Sequence, residues 1–339
     1  MIIVLKPRIS REEERAVLKE IRKLGYTPHV MRGVARTVIG AIGDELTHAD
    51  LETLATQFPH AVESVLPIQK RYKLVSREAH PANSTIRVRE HVLGGKKLHV
   101  MAGPCSVESE KQLLATAKAV KAAGATFLRG GAFKPRTSPY EFQGLGEKGL
   151  KLLAKARKET GLAVITELLS ENHAEMVAEY ADIIQIGARN AQNFQLLIAA
   201  AKTGKPVLLK RGLAMKIEEW LLAGEYILAN ENPNLLFCER GIRTFETYTR
   251  NTLDLSTIPI IKRETHCPVV IDPSQGAGRA DLVAAMCKGA VAMGADALLI
   301  EVHPNPAEAW SDGAQQVSFD MFAKLMRELK PFIAAAGRE

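Results

Sequence analysis

The segment Leu128-Arg129-Gly130-Gly131-Ala132-Phe133-Lys134-Pro135-Arg136-Thr137-Ser138 carries the strongest structural signal in this sequence. An apolar run at 125–128 precedes it, and the two glycines let the backbone turn and approach a ligand closely. Prolines at 135 and 139 restrict the loop. Guanidinium groups fit phosphate or carboxylate oxygens, and an ammonium acts as a compact charge. The segment predicts a strand that ends in an anion-binding loop, although a lone basic loop is more often simply solvated.

The same event, a strand that ends in charged residues, recurs from residue 98 onward. The predicted strands are continuous apolar runs, which is typical of parallel strands buried on both faces. They cover 98–102, 126–129, 163–167, 183–187, 206–210, 235–239, 269–272 and 297–302. Helices are predicted at 109–123, 147–160, 171–180, 193–202, 217–229, 280–293 and 319–335. Eight strands over about 240 residues predict a (β/α)8 TIM barrel in the α/β class. A doubly wound open sheet is the alternative, but no GxGxxG motif follows the first strand.

Residues 1–70 predict a small α+β domain of their own. The pattern is β-α-β-β-α-β, which is the ferredoxin-like arrangement. Ser10 and Glu13 form a predicted capping box at the start of the first helix. A hairpin tip is predicted at 32–36, and a second helix is predicted at 49–58. Its histidines at 29, 48 and 60 do not cluster, so no chemistry is expected there. Residues 71–97 are predicted to be a linker and an entry hairpin, and residues 98–339 the catalytic barrel.

Composition narrows the classes of function. The 339 residues carry a net charge of +7, but the basic residues are scattered and aromatic residues make up only 5%, so nucleic-acid binding is not expected. An anionic small substrate explains the positive charge equally well. No apolar run approaches the roughly 20 residues that span a bilayer, and no signal peptide is recognisable at the start. Four scattered cysteines suit a reducing compartment, so we expect a cytoplasmic protein without a membrane partner.

Side chains at the strand ends supply the candidate chemistry, because a barrel places its active site there. The first group consists of six cations: Arg129, Lys134, Arg136, Arg189, Lys210 and Arg240. Six converging cations suggest two phosphorylated substrates, or a phosphate and a carboxylate. The second group, Cys105, Glu301 and Asp312 with Asp272 and His303 near by in the pattern, suits a divalent transition ion. On spacing alone, Cys105 is better explained as a small buried hydrophobic residue than as a metal ligand.

Six ordered motifs give a resemblance to a known family. They are Gly103-Pro104-Cys105-Ser106, Lys134-Pro135-Arg136-Thr137-Ser138, Gln185-Ile186-Gly187-Ala188-Arg189-Asn190, Leu209-Lys210-Arg211-Gly212, Cys238-Glu239-Arg240-Gly241 and Ile300-Glu301-Val302-His303-Pro304. Together they resemble 3-deoxy-D-arabino-heptulosonate 7-phosphate (DAHP) synthases, in particular the subgroup with an N-terminal ferredoxin-like (ACT-like) regulatory domain. The resemblance implies condensation of phosphoenolpyruvate with D-erythrose 4-phosphate to give DAHP and phosphate, the first step of the shikimate pathway to aromatic amino acids.

The resemblance also implies roles for individual residues. Phosphoenolpyruvate would bind to Arg129, Lys134, Arg189, Lys210 and Arg240. Arg136 and Thr137 would hold erythrose 4-phosphate, and Glu167 would help to position the attacking water. Lys134, Glu167 and Cys105 would be catalytic. Cys105, Glu301 and Asp312 match three of the four ligands of a divalent metal such as Mn²⁺, which would polarise the aldehyde as a Lewis acid.

One position departs from the family pattern. The fourth ligand would be a histidine, and Gln275 stands in its place. An amide oxygen is a weaker donor than imidazole toward transition ions. Three interpretations follow: weaker metal binding with Gln275 or water in the fourth place, catalysis without metal, or a catalytically impaired, effector-binding paralogue. We expect Gln275→His to raise the affinity for metal.

The same motifs bear on alternative functions and on partners. The nearest rival is 3-deoxy-octulosonate 8-phosphate synthase, which acts on a five-carbon sugar, but the Lys134-Pro135-Arg136-Thr137 loop favours erythrose 4-phosphate. The resemblance implies that tyrosine or phenylalanine inhibits through the N-terminal domain, and that the protein is a homo-oligomer, in particular a homotetramer. The alternative is a domain that only supports oligomerisation, since fold does not fix function.

Overall fold

The computed structural model describes residues 1–33, 36–43, 51–66 and 70–339. Contacts divide the chain into two compact units, one of Met1–Asn83 with Glu264–His266 and one of Ser84–Arg263 with Cys267–Glu339. Residues 34–35 of the predicted hairpin tip, His48 and the predicted start of the second helix lie outside the described residues. None of the helices in the described part of the chain has the length and apolar character needed to cross a membrane.

The smaller unit has a four-stranded antiparallel sheet in the order β2-β3-β1-β4. Its elements are β1 (Ile2–Leu5), α1 (Arg11–Lys23), β2 (Thr27–Arg32), β3 (Thr37–Ile42), α2 (Leu54–Gln57) and β4 (Val62–Leu66). The capping box is present, because Ser10 Oγ accepts from the backbone N–H of Glu13 and the Glu13 carboxylate accepts from that of Ser10. One face of the sheet packs against α1 through apolar residues such as Ile3, Ile21 and Ile39. The predicted ferredoxin-like arrangement is confirmed.

The larger unit is a closed barrel of eight parallel strands. The strands are β7 (His99–Gly103), β8 (Phe127–Arg129), β9 (Ala163–Glu167), β10 (Ile183–Ile186), β11 (Val207–Lys210), β12 (Leu235–Glu239), β13 (Val269–Ile271) and β14 (Ala297–Glu301). The helices are α3 (Glu110–Ala122), α4 (Glu147–Thr160), α5 (Ala174–Tyr180), α6 (Phe194–Lys202), α7 (Ile217–Ala229), α8 (Thr257–Glu264), α9 (Pro273–Ala277), α10 (Ala280–Ala292) and α11 (Phe319–Ala335). The predicted TIM barrel is confirmed.

The barrel interior is divided between apolar and polar side chains. A short antiparallel hairpin, β5 (Ile86–Val88) and β6 (His91–Leu93), contributes Ile86 and Leu93 to an apolar cluster with Phe127 and Leu236 near the start of the strands. Charged residues such as Arg129 and Glu301 end the strands. The apolar filling therefore occupies the amino-terminal half of the barrel, and the carboxyl ends are left for polar groups.

The end of one barrel strand and the presence of one helix differ from the prediction for reasons that the structure shows. The strand predicted at 269–272 ends at Ile271, because the Asp272 side chain accepts from the N–H of Gln275 and begins a short helix. The segment between the sixth and seventh strands, which shows no clear pattern in sequence, contains helix α8.

Candidate active site

A polar cavity of about 240 Å³ opens at the carboxyl ends of the barrel strands. All six predicted cations line it. Thr137, Glu167, Gln275 and Asp312 also line it, as do Glu141, Gln185 and Arg250, to which the sequence assigns no role. Cys105 and Glu301 are fully buried at its edge. The twelve candidate residues, which come from distant parts of the sequence, are thus brought together around one cavity.

Cys105, Glu301 and Asp312 form one cluster. Their ligand atoms lie within 4.8 Å of one another. Among the described residues, this is the group of cysteine and acidic side chains whose spacing suits a metal ion. Asp272 and His303, which the sequence placed near this group, lie elsewhere: Asp272 pairs with Lys210, and His303 with Glu108. One thiol and two carboxylates fit a divalent transition ion with a position left open.

Each of these three side chains is also close to a cation. Cys105 Sγ accepts from Lys134 Nζ at 3.0 Å, and Glu301 Oε1 accepts from Arg129 Nη1 at 3.0 Å. Asp312 Oδ1 accepts from Arg250 Nη1, also at 3.0 Å. The cations offset the cost of burying carboxylates, which would otherwise be high.

The charge states of this cluster follow from burial and from those neighbours. Burial raises the pKa of Cys105 to about 12, so its thiol is neutral and donates to Asp312 Oδ2 at 3.3 Å. Burial opposes ionisation of Asp312, but Arg250 and Lys134 outweigh it and lower its pKa to about 2. A bound divalent ion would favour the thiolate form of Cys105 instead.

Strand β11 and the β13–α9 junction supply a further ion pair. Lys210 Nζ donates to Asp272 Oδ2 at 2.6 Å, and both side chains are buried. The other Asp272 oxygen accepts the backbone N–H of Gln275 at 2.9 Å. Lys210 therefore faces the cavity from a fixed position, and Asp272 links that position to the turn that carries Gln275.

Glu167 lies at the end of β9 with its carboxylate on the cavity. Gln185 Nε2 donates to Glu167 Oε2 at 3.3 Å. Gly187 allows this placement, since a Cβ at that residue would stand 2.0 Å from Glu167 Oε1. The carboxylate is thus confined between two residues of the neighbouring strand end, with no side-chain cation bonded to it in the described residues.

The loop that follows β8 forms one wall of the cavity. Pro135, Arg136 and Thr137 line it, and Arg136 Nε donates to Glu141 Oε2 at 2.6 Å. Arg189, which follows β10, lies on the same cavity. Two cations at the outer wall and four at the base can bind two separate anionic groups.

Arg250 was missed because it lies in the segment at 240–268, where no regular pattern pointed to a strand end. The TIM barrel itself gives the only signal that could have found it, since the loop after the sixth strand must reach the active-site face. Gln315 was missed for a similar reason: a neutral amide in a turn carries no chemical signature of its own.

Two protein-family models match this chain, one over its N-terminal part and one over the rest. The DAHP synthetase I family model matches residues 82–335, and the DAHP synthase ferredoxin-like domain matches residues 1–70. The chain is 50% identical over 339 residues to phospho-2-dehydro-3-deoxyheptonate aldolase of Thermotoga maritima, with 99% of each chain covered. The crystal structure of that organism's DAHP synthase superposes with a TM-score of 0.79 at 49% identity, covering 100% of this chain and 98% of the other.

A second kind of relative matches about three quarters of the chain. The 2-dehydro-3-deoxyphosphooctonate aldolase of Caulobacter vibrioides is 33% identical over 269 residues, covering 74% of this chain and 91% of its own.

Proposed function

Since the chain belongs to the DAHP synthetase I family and is a DAHP synthase, we propose that the cavity at the mouth of its barrel is where phosphoenolpyruvate condenses with erythrose 4-phosphate. The observation that carries this assignment is the convergence of all six predicted cations on one cavity, which also holds Glu167 and borders the Cys105, Glu301 and Asp312 cluster.

Phosphoenolpyruvate binds at the base of the cavity and reaches Arg189 on the outer wall. Its phosphate and carboxylate are held by Arg129, Lys134, Arg189, Lys210 and Arg240. Arg129 supports this role, because its Nε is buried without a hydrogen-bond partner in the described part of the chain. Such a donor is costly to bury, and a substrate oxygen would satisfy it.

Erythrose 4-phosphate binds toward the outer wall, with its phosphate on Arg136 and Thr137. The cations hold two anions side by side that would otherwise repel each other, so much of the catalysis comes from positioning. Arg136 would exchange its bond to Glu141 for the stronger, doubly charged phosphate.

The reaction then runs between the two substrates. C3 of phosphoenolpyruvate attacks the aldehyde carbon, water adds at C2, and phosphate leaves by cleavage of its C–O bond. The Glu167 carboxylate accepts a hydrogen bond from that water and so orients it. Gln185 and Gly187 confine the carboxylate and thereby fix the direction of its accepting lone pair. Lys134, at the base of the site, is placed to donate a proton or a hydrogen bond to a substrate oxygen.

A divalent metal such as Mn²⁺ would be held by Cys105, Glu301 and Asp312, with Gln275 or water in the fourth place. It would polarise the aldehyde as a Lewis acid. The support is the chemistry of the three donors and their spacing within 4.8 Å.

Regulation and assembly are also proposed. Tyrosine or phenylalanine would inhibit by binding to the ferredoxin-like unit, and the enzyme would be a homotetramer. The sequence match to the DAHP synthase ferredoxin-like domain supports the first. Isothermal titration with each aromatic amino acid tests it, and an absence of heat with all of them would reject it. Four free cysteines support a cytoplasmic location.

The test of the proposed function is phosphate release from phosphoenolpyruvate with a four-carbon sugar phosphate, with a five-carbon sugar phosphate and with no sugar. We expect release with erythrose 4-phosphate only. Release with the five-carbon sugar alone would favour the octulosonate reaction, and no release by folded protein would favour an impaired paralogue.

A further inference from the structure

Gln275 lies on the first turn of α9, and both ends of its side-chain amide are engaged. Its Oε1 accepts from Arg240 Nη2 at 3.1 Å. Its Nε2 donates to Glu301 Oε1, also at 3.1 Å. The amide therefore spans a cation of the cavity and a carboxylate of the metal cluster.

The neighbours fix the orientation of this amide. If its oxygen and nitrogen were exchanged, the NH₂ group would face the guanidinium of Arg240, and the carbonyl would face the carboxylate of Glu301. Both contacts would be repulsive. The atom directed at the cluster is thus the amide nitrogen, which is a hydrogen-bond donor and has no lone pair for a cation.

A second glutamine repeats this arrangement on the other oxygen of the same carboxylate. Gln315 Nε2 donates to Glu301 Oε2 at 2.7 Å, and Gln315 Oε1 accepts from Arg250 Nη1 at 3.1 Å. Glu301 is fully buried and is held on both oxygens by a glutamine whose other end binds an arginine. Two such bridges indicate that the role of these amides is to position charged groups.

We propose that Gln275 is a positioning bridge between Arg240 and Glu301, and that the metal keeps three protein ligands with a solvent molecule or substrate oxygen in the fourth place. This inference rests on the proposed function, because Arg240 is assigned there to phosphoenolpyruvate and Glu301 to the metal. Of the two groups given above for the fourth ligand position, Gln275 and water, it excludes Gln275. It also makes Gln275 a determinant of substrate affinity.

Two readouts separate a bridge from a ligand. The first is the visible absorption spectrum of the Co²⁺-loaded protein, which reports the number and type of ligands. The second is the dissociation constant of phosphoenolpyruvate for the metal-free protein, measured by isothermal titration calorimetry. Gln275→Leu has nearly the same volume and removes both hydrogen bonds. Gln275→Asn keeps the amide but is too short to reach both partners, and it serves if the leucine variant folds poorly.

Gln315→Leu is the matched control, since it removes the other bridge to Glu301 and leaves the Arg240 contact intact. For Gln275→Leu we expect an unchanged Co²⁺ spectrum, a Co²⁺ dissociation constant within about threefold of wild type, and phosphoenolpyruvate affinity at least tenfold weaker. For Gln315→Leu, phosphoenolpyruvate affinity should stay within about threefold of wild type.

An altered Co²⁺ spectrum in Gln275→Leu would show that Gln275 is a ligand and would overturn the proposal. Unchanged phosphoenolpyruvate affinity in that variant would overturn it as well. If wild type binds no Co²⁺, the metal centre of the proposed function fails, and the metal-free titration still decides the bridge.

Discussion

Replacing Gly187 by alanine should displace the Glu167 carboxylate without unfolding the protein. The backbone at this residue has φ −71° and ψ 160°, which alanine adopts without strain. The added Cβ would stand 2.0 Å from Glu167 Oε1, whereas ordinary contact begins near 3.4 Å, so the oxygen has to move by about 1.4 Å. Because the atom that moves is the far end of a flexible side chain, the change in stability should be small.

The loss should appear in the rate. A misplacement of about 1 Å at a reacting centre costs about 100-fold, or roughly 2.7 kcal/mol of transition-state stabilisation. We therefore expect kcat for sugar-dependent phosphate release to fall by about 100-fold in Gly187→Ala, with a melting temperature within a few degrees of wild type. Gly95→Ala is the control glycine substitution, since its Cβ would meet only ordinary contacts at 3.7 Å or more.

The double variant tests whether the effect passes through Glu167. If it does, Glu167→Ala and Glu167→Ala/Gly187→Ala should have the same kcat, because residues that act as a unit are not additive. A kcat for Gly187→Ala within about threefold of wild type would show that the position of the Glu167 carboxylate does not control the rate. Fully additive losses in the double variant would show that the effect does not pass through Glu167.

Three further predictions concern charge. Lys210→Met leaves Asp272 buried without its cation, so urea unfolding should show a loss of about 3–5 kcal/mol, and a loss below about 1 kcal/mol would contradict the pairing. His99 is neutral in the fold because burial lowers its pKa to about 4, against 6.5 when unfolded, so protonation favours unfolding. Burial lowers the pKa of His266 to about 4 in the same way. The loss of stability between pH 7 and pH 4.5 should therefore be about 2 kcal/mol smaller in His99→Gln than in wild type, and an equal loss in both proteins would contradict this. Gln275→His should tighten Mn²⁺ binding by about 10-fold or more, and identical titrations for this variant and wild type would contradict it.

The fold could be predicted from sequence because its signals are local. Each barrel strand is a short apolar run buried on both faces, and the small domain alternates strands and helices around clear stops such as Gly25. Asp272 shows the limit of that approach: the same residue can end a strand or cap a helix, and the choice depends on where the Gln275 N–H lies.

The candidate site could be predicted in composition but not in arrangement. Cations that end successive strands must converge in a parallel barrel, so Arg129, Lys210 and Arg240 were identifiable. The partners of the cations around the cavity were not identifiable, because pairs such as Arg250 with Asp312 join residues 62 positions apart. The direction of the Gln275 amide is likewise set by tertiary neighbours, which sequence spacing does not reveal.

The decisive measurement is phosphoenolpyruvate consumption with erythrose 4-phosphate, run with added Mn²⁺ and again after exhaustive chelation. We expect sugar-dependent consumption that is lost on chelation and returns with Mn²⁺. Activity indifferent to chelation would contradict the metal role given to Cys105, Glu301 and Asp312, and the absence of activity in both arms from folded protein would contradict the catalytic assignment itself.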